Sequence, residues 1–241
     1  MTTTLFISDL HLCASRPRIN QLFFDFFATT ARSADALYIL GDFFEYWAGD
    51  DDIDDSFNRA VIDALASLTS SGVSVFLMHG NRDFLIGEKF AAASGVILLQ
   101  DPTVIDLNGM RTVLLHGDTL CTDDIEYQQF RKQVRDPKWQ RQFLAQPLAQ
   151  RKAIIEELRR RSESEKQTKS MDIMDVTQSS VDEILREHRY PRLIHGHTHR
   201  PAVHRHNIDG NICERWVLTD WYERGGYLRS DERGLIANGI E

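Results

Sequence analysis

Short apolar runs alternate with amphipathic stretches along the first half of the chain. These runs predict strands at residues 5–7, 36–40, 73–78, 97–99 and 112–115. Apolar residues recur at helical spacing in 20–31 and 57–68, which predicts two helices. Because the strand runs are continuous rather than alternating, we expect both faces of the strands to be buried, as in an α/β sheet covered by helices.

The pattern changes in the second half of the chain. Long helical stretches with few strand signals predict a helical insertion at 125–169, between core segments 1–124 and 170–241. Strand and turn signals return from residue 192. They predict antiparallel strands near the end of the chain, at 216–218, 227–229 and 235–236.

The predicted insertion also differs from the rest in charge. Residues 131–169 hold twelve Lys and Arg against five Asp and Glu, a balance of +7 in a chain whose net charge is −8. The same segment carries Trp139 and Phe143. It is either a solvated helical hairpin whose apolar face caps the core, or a basic and apolar lid that meets an anionic amphipathic ligand or a membrane surface.

Composition excludes several classes of protein. The chain of 241 residues is 42% hydrophobic and 27% charged, which suits one large domain or two small ones. A net charge of −8 disfavours nucleic-acid binding by bulk charge. Three scattered cysteines without a C-x-x-C pair favour neither a disulfide framework nor a cysteine zinc site. The first residues contain no basic region, and Asp9 interrupts the apolar run after a few residues. We therefore expect no signal peptide.

Polar side chains suited to metal binding follow five of the apolar runs. They are Asp9 and His11 after the first, Asp42 after the second, Asn81 after the third, His116 after the fourth and His197 and His199 after the last. Loops at the carboxyl ends of strands meet at one edge of an α/β sheet. Carboxylate, amide and imidazole groups suit Mn²⁺, Fe²⁺ or Zn²⁺, and two such ions side by side favour displacement at phosphorus. Each motif alone is an ordinary turn or helix start, so only their joint order predicts a site.

This ordered set resembles the calcineurin-like metallophosphoesterase superfamily. The resemblance implies a four-layer αββα sandwich with a two-metal centre at one edge. It assigns Asp9, His11, Asp42 and His199 to one metal, and Asp42, Asn81, His116 and His197 to the second. His79 and His195 match no ligand position.

One position departs from the superfamily pattern. Arg82 stands where many members have a histidine that contacts the phosphate or the leaving group. An arginine does not donate its proton near neutral pH, but its planar fork binds two phosphate oxygens at once. The position therefore favours holding a phosphate group over general-acid catalysis.

Longer strings at 36–45, 79–87, 116–124 and 193–201 resemble the UDP-2,3-diacylglucosamine pyrophosphatase family of lipid A biosynthesis. The resemblance implies an enzyme with two Mn²⁺ ions, in which water attacks the α-phosphorus and gives UMP and 2,3-diacylglucosamine 1-phosphate (lipid X). It implies substrate contacts at Asn81, Arg82, Asp124, Ser162, Lys166, Lys169 and His197. Some members have Asn at the position of Lys166, and Thr219 stands where the family often has Gly.

The resemblance and the basic insertion together predict a location. We expect peripheral attachment at the cytoplasmic face of the bacterial inner membrane, where anionic lipids attract basic segments, with 159–161 contributing. Acyl chains of the substrate would lie in the apolar part of the insertion. No nucleic acid or obligate protein partner is expected.

Two other functions remain compatible with the motifs. The same metal centre could serve a cyclic-nucleotide diesterase or a phosphoprotein phosphatase, but Arg82 and the basic insertion speak against a soluble substrate. A degenerate member could act as an interaction scaffold. Such proteins usually lose ligands, whereas all seven positions are filled here.

Overall fold

The computed structural model describes the backbone of residues 2–166 and 175–241, and the side chains of 2–160 and 175–241. Its strands are β1 (Thr4–Ile7), β2 (Ala36–Leu40), β3 (Ser74–Met78), β4 (Ile97–Leu99), β5 (Thr103–Leu107), β6 (Met110–Leu114), β7 (Arg192–His195), β8 (Ala202–Ile208), β9 (Asn211–Val217), β10 (Gly225–Asp231) and β11 (Gly234–Ile240). Its α-helices are α1 (Pro17–Ala28), α2 (Ser56–Ser70), α3 (Glu88–Ser94), α4 (Ile125–Val134), α5 (Pro137–Leu144), α6 (Leu148–Lys166) and α7 (Gln178–Glu187).

The strands form two mixed sheets. The first has the order β11-β10-β1-β2-β3-β4, in which β1 to β4 are parallel and β10 pairs antiparallel with β1 and β11. The second has the order β5-β6-β7-β9-β8, in which β6, β7 and β9 are parallel. The parallel strands of both sheets therefore supply loops at their carboxyl ends.

Apolar side chains between the sheets form one core cluster. Phe6, Leu40 and Met78 of the first sheet pack there with Leu114 and Ile194 of the second. This cluster makes the two sheets adjacent inner layers, with the alternate residues of each strand facing outward.

Helices cover both outer faces. α1, α2 and α3 pack on the first sheet through Phe23, Leu65 and Phe90. α7 packs on the second sheet through Val181 and Leu185. The predicted α/β fold class, a four-layer αββα sandwich, is confirmed.

The segment predicted as an insertion contains α4, α5 and α6. Trp139 and Phe143 of α5 and Ile154 and Ile155 of α6 pack against the core that lies under the first sheet's helices. Buried Arg151 donates to the carbonyls of Ala48 and Gln146 and pairs with Asp51. α6 is thus fastened to the loop after β2.

Two hairpins and two helices were not predicted from the sequence. β5 and β6 join at Asn108-Gly109, and β8 and β9 join at Asp209-Gly210, where all four residues have positive φ. Asn-Gly and Asp-Gly are strong signals for tight hairpins. β5 and β8 are edge strands with many exposed residues, so they lack the continuous apolar runs on which the other strand predictions rest. The helices without a prediction are α3 and α7.

Candidate metal centre

The candidate site lies where five loops from the two sheets meet. Three follow β1, β2 and β3 of the first sheet, and two follow β6 and β7 of the second. The backbone amide of Asp9 donates to the carbonyl of Gly41 at 3.1 Å, and that of Gly196 donates to the carbonyl of His116 at 2.8 Å. Across the sheets, the amide of His197 donates to Asp9 Oδ2 at 2.9 Å. These bonds hold the loops in one cluster.

Five of the predicted ligand positions have left-handed backbone conformations. The φ angles are 54° at Asp9, 49° at His11, 49° at Asp42, 67° at His197 and 54° at His199. Residues with a Cβ rarely adopt this region, and when they do, the surrounding structure holds them there at a cost in free energy. Such residues concentrate at functional sites, which agrees with the chemistry predicted for them.

Two glycines let bare backbone approach the carboxylates. A Cβ on Gly80 would lie 2.1 Å from Asp42 Oδ1, and one on Gly196 would lie 2.2 Å from Asp9 Oδ2. No side chain fits at either position without moving a carboxylate.

A first group of donors comprises Asp9, His11 and His199. Their ligand atoms lie within 4.8 Å of one another. The Nε2 atoms of His11 and His199 are 3.5 Å apart, and His199 Nε2 lies 3.3 Å from Asp9 Oδ1. Two imidazole nitrogens this close need a proton or a cation between their lone pairs.

A second group comprises Asp9, Asp42 and His116, again within 4.8 Å. Asp42 Oδ1 lies 3.8 Å from His116 Nε2, and Asp42 Oδ2 lies 3.8 Å from His11 Nε2. The two oxygens of Asp42 therefore face one histidine of each group, as a bridging carboxylate must.

Asn81 joins the remaining histidine to the cluster. Its Oδ1 lies 3.0 Å from His116 Nε2 and 3.0 Å from His197 Nδ1. All seven predicted positions are therefore brought together. Asp9 Oδ1 is buried and accepts no hydrogen bond, and the converging oxygen and imidazole donors fit a divalent ion such as Mn²⁺, Fe²⁺ or Zn²⁺.

Groups outside the cluster orient two of its histidines. His116 Nδ1 lies 2.9 Å from the carbonyl of Leu40 and donates to it, which leaves Nε2 as the atom that faces the centre. His199 Nδ1 lies 3.2 Å from Asp220 Oδ2. Such partners fix the tautomer and the ring orientation of metal-binding histidines.

The charges of the cluster perturb one another strongly. Burial raises the pKa of Asp42 to about 7, and the negative charges of Asp83 and Asp9 add to this. Burial lowers the pKa of His116, but the charges of Asp42 and Asp118 outweigh it and raise that pKa to about 9. The cluster therefore holds protons at neutral pH that a bound cation would replace.

A cavity of about 460 Å³ opens beside the donors and is rich in arginine. It is lined by Cys13, Ser15, Arg16, Glu45, Arg82, Arg159, His199 and Tyr222. Glu45 lies at its centre, with Oε1 2.7 Å from Arg159 Nη2 and 3.9 Å from Arg82 Nη1, and Oε2 3.5 Å from His11 Nδ1. Three guanidinium groups against one carboxylate make the cavity suitable for an anion.

The residues predicted to contact substrate have different positions. Arg82 lines this cavity, whereas Asp124 begins α4 and accepts a hydrogen bond from the amide of Tyr127 at 3.1 Å. The side chains of Ser162 and Lys166, and all of Lys169, lie outside the described residues.

Sequence reasoning missed several residues of the site. Glu45 and Arg159 come from positions without a local motif, since one follows the β2 loop and the other lies in a basic helix. Asp220 had no predicted role, although it contacts His199. The arginine run at 159–161 is predicted to contribute to membrane attachment, but the side chain of Arg159 is bonded to Glu45 inside the cavity.

The two histidines without a ligand position have other partners. His79 Nε2 lies 2.8 Å from the carbonyl of Ile86. His195 Nδ1 lies 2.8 Å from the carbonyl of Gly196, and its Nε2 accepts from Arg215 Nη1 at 3.0 Å. Burial and the charge of Arg215 lower the pKa of His195 to about 3, so this imidazole is neutral.

Comparison with known proteins agrees with this geometry. Residues 2–201 match the family model of calcineurin-like phosphoesterases. UDP-2,3-diacylglucosamine hydrolases of Aromatoleum aromaticum and Cellvibrio japonicus are 58% and 52% identical to the chain, each over 96% of it and over 94% and 96% of their own lengths. The hydrolase of Xanthomonas oryzae pv. oryzae is 51% identical over 97% of both chains. The chain therefore belongs to the calcineurin-like phosphoesterases and, within them, to the family of UDP-2,3-diacylglucosamine hydrolases.

Proposed function

We propose that this protein hydrolyses the pyrophosphate bond of UDP-2,3-diacylglucosamine in lipid A biosynthesis. Water attacks the α-phosphorus, and the products are UMP and 2,3-diacylglucosamine 1-phosphate. Three relatives named for this substrate align with nearly the whole chain. The observation that carries the proposal is the donor cluster that opens onto the arginine-lined cavity, because a pyrophosphate requires both a metal centre and cationic side chains.

The proposed cofactor is a pair of Mn²⁺ ions. Asp9, His11, Asp42 and His199 would hold one ion, and Asp42, Asn81, His116 and His197 the other. Bound there, divalent ions lower the pKa of water and neutralise charge on phosphoryl oxygens. The positions of the Asp42 oxygens support its role as the shared ligand.

The arginines of the cavity bind the phosphate oxygens of the substrate. Arg82 and Arg159 approach the same carboxylate, Glu45, from a loop and from α6. This shared partner holds the two guanidinium groups at the cavity before substrate arrives, which lowers the entropy cost of binding. Asn81 and His197 would add contacts from the donor cluster.

The helical segment 125–169 acts in this proposal as a lid that accommodates the acyl chains. Large apolar side chains remain exposed on its helices, among them Ile125, Phe130, Leu144 and Leu158. An exposed apolar surface beside a catalytic centre is typical of enzymes with lipid substrates. Core segments 1–124 and 170–241 would carry the chemistry.

The same segment supports attachment to the inner face of the bacterial membrane. Exposed Lys132 and Lys138 accompany the apolar side chains. In the described residues, no helix combines the length and the apolar character needed to cross a bilayer. We expect co-sedimentation with phosphatidylglycerol vesicles but not with phosphatidylcholine vesicles, and loss of binding in Lys132→Glu/Lys138→Glu. Equal binding of this variant would contradict the proposal.

The reaction is tested by product analysis in ¹⁸O-water. The protein with Mn²⁺ is given UDP-2,3-diacylglucosamine, and the products are identified by mass spectrometry. Labelled UMP with unlabelled lipid product is the expected result. Label in the lipid product would overturn the site of attack, and cleavage of soluble phosphodiesters alone would overturn the substrate.

Two neighbouring arginines on α6 provide a matched pair of variants. Arg159 is bonded to Glu45 in the cavity, whereas Arg160 pairs with Glu157 on the surface. We expect Arg159→Gln to lower kcat/KM by about tenfold to a hundredfold, the effect of losing one charged hydrogen bond to phosphate. Arg160→Gln should leave kcat/KM unchanged. Equal effects of the two substitutions would remove Arg159 from the substrate site.

A further inference from the structure

A second cavity lies on the outer face of the second sheet. It has a volume of about 220 Å³ and is lined by Asp175, Thr198, Arg200, Pro201, Ala202, His204, Arg215 and Val217. In the pairing of β8 with β9, His204 lies opposite Arg215, and Ala202 lies opposite Val217. Cys213, two residues from Arg215 and on the same face, packs with α7. The cavity therefore lies on the outer face of the second sheet, next to the area that α7 covers.

Arg215 holds a buried charge and, among the described residues, forms no direct ion pair with a carboxylate. Its side chain is 6% exposed, and its two hydrogen-bond acceptors are His195 Nε2 at 3.0 Å and His206 Nε2 at 3.3 Å. The neighbouring acids bind other arginines, since Asp175 pairs with Arg200 and Glu214 pairs with Arg192 and Arg205. A buried guanidinium group that lacks a counter-charge is costly.

A hydroxyl group in the same cavity also lacks a partner. Thr198 Oγ1 is buried and makes no hydrogen bond to any described residue. Of the described residues that line the cavity, two arginines and Asp175 give one net positive charge. Since liquid water occupies about 30 Å³ per molecule, the volume suits a small anion with a few waters rather than a lipid.

We propose that this cavity binds a small oxyanion of the phosphate class, held by Arg215, Arg200 and Thr198. The anion supplies the direct ion pair that Arg215 does not make within the described residues, since Asp175 is engaged by Arg200, and it accepts the hydrogen bond that Thr198 can donate. Thr198 lies between His197 and His199 in the chain. The same loop therefore serves both sites: His199 belongs to the donor cluster, whereas Thr198 lines the second cavity. The proposal does not depend on the activity proposed above.

Isothermal titration of the full chain with inorganic phosphate tests the site. We expect Arg215→Gln to weaken phosphate binding to this cavity at least about tenfold, because a charged hydrogen-bond donor is lost. Arg205→Gln is the matched control, since Arg205 is an exposed arginine of β8 outside the cavity lining. Arg82→Gln shows which component belongs to the metal centre. A folded Arg215→Gln protein that binds phosphate as the wild type does would overturn the proposal.

Two further measurements keep the test independent of how well that variant folds. Arg200→Gln replaces a partly exposed residue of the cavity and should weaken the same component. Crystals of the wild type soaked in arsenate should show an anomalous peak within hydrogen-bond distance of Arg215, and its absence would contradict the site. A parallel soak with UMP distinguishes a nucleotide phosphate from a free anion, as either could supply the group.

Discussion

Asp220 sets the orientation of one proposed metal ligand without belonging to the donor cluster. Its Oδ2 lies 3.2 Å from His199 Nδ1, on the side of the ring away from Asp9. Loss of such an outer partner typically weakens metal affinity tenfold to a hundredfold. We therefore expect Asp220→Asn to lose metal at lower chelator concentration, measured by metal analysis after dialysis. Glu223→Gln, an exposed neighbour, is the control. Equal retention in both would show that Asp220 does not support the ligand.

Asp101 gives a prediction about pH. Both of its carboxylate oxygens are buried without a hydrogen bond to any described residue, and Arg131 Nη2 lies 3.8 Å from Oδ2. Burial, with a contribution from the charge of Asp118, raises the pKa of Asp101 from 3.8 to about 6. An acid with a raised pKa in the folded state costs stability as the pH rises through this window, and the cost is complete near pH 7.

Asp101→Asn should therefore stabilise the protein at pH 7 by roughly 1–2 kcal/mol and have little effect at pH 4. Urea unfolding at the two pH values measures the difference. Asp63→Asn, on an exposed position of α2, should show no such dependence. A gain at pH 4 as large as that at pH 7 would rule out the charge as its cause.

The sequence predicts the candidate ligand residues but not the residues that contact and orient them. Asp9, Asp42 and His116 follow apolar runs in the sequence, and in the structure these runs are the strands β1, β2 and β6. Glu45 and Asp220 have no such signal, because their roles arise from contacts between loops distant in the chain. Only the folded geometry gives those contacts.

At the scale of elements, α6 depends on one buried arginine. Arg151 fastens the helix to the loop after β2, and Arg159, two turns further along the helix, reaches the cavity. We expect Arg151→Ala to lower the free energy of unfolding by roughly 2–4 kcal/mol and to lower activity, because Arg159 loses its position.

Hydrogen exchange separates this local effect from general destabilisation. Amides of α6 should lose protection in Arg151→Ala more than those of β1 to β3 do. Arg141→Ala, an exposed position on α5, should change neither protection nor activity. Uniform loss of protection would show that Arg151 stabilises the whole fold instead.

Strands were predictable where both of their faces carry apolar residues. β1, β2 and β3 are continuous apolar runs, whereas β8 alternates and is mostly exposed, so its only signal was the turn at Asp209-Gly210. The division into two sheets could not be derived from periodicity. It came from the resemblance, because strand order depends on pairings between distant segments.

At the scale of the molecule, the donor cluster links the two sheets. Its residues follow β1, β2 and β3 of one sheet and β6 and β7 of the other. An ion present at a hundred times its dissociation constant stabilises a fold by about 2.7 kcal/mol. We expect removal of metal by a chelator to lower Tm by on the order of 5–10 °C, and Mn²⁺ to restore it.

Differential scanning calorimetry measures this effect, with metal content determined on the same samples. His116→Ala, which removes a donor, should no longer respond fully to Mn²⁺. An unchanged Tm in protein shown to be free of metal would contradict the link between the sheets.

The left-handed residues of the site have a consequence for the life of the protein in the cell. Asp9, His11, Asp42, His197 and His199 each hold an unfavourable backbone conformation, at roughly 1 kcal/mol or more apiece. In a newly synthesised chain without bound metal, no ion offsets this cost in free energy. Its free energy of unfolding is therefore correspondingly small. The supply of metal would then govern the abundance of the protein in the cell as well as its catalysis. Chains without bound metal unfold more often and are therefore degraded by proteases more readily.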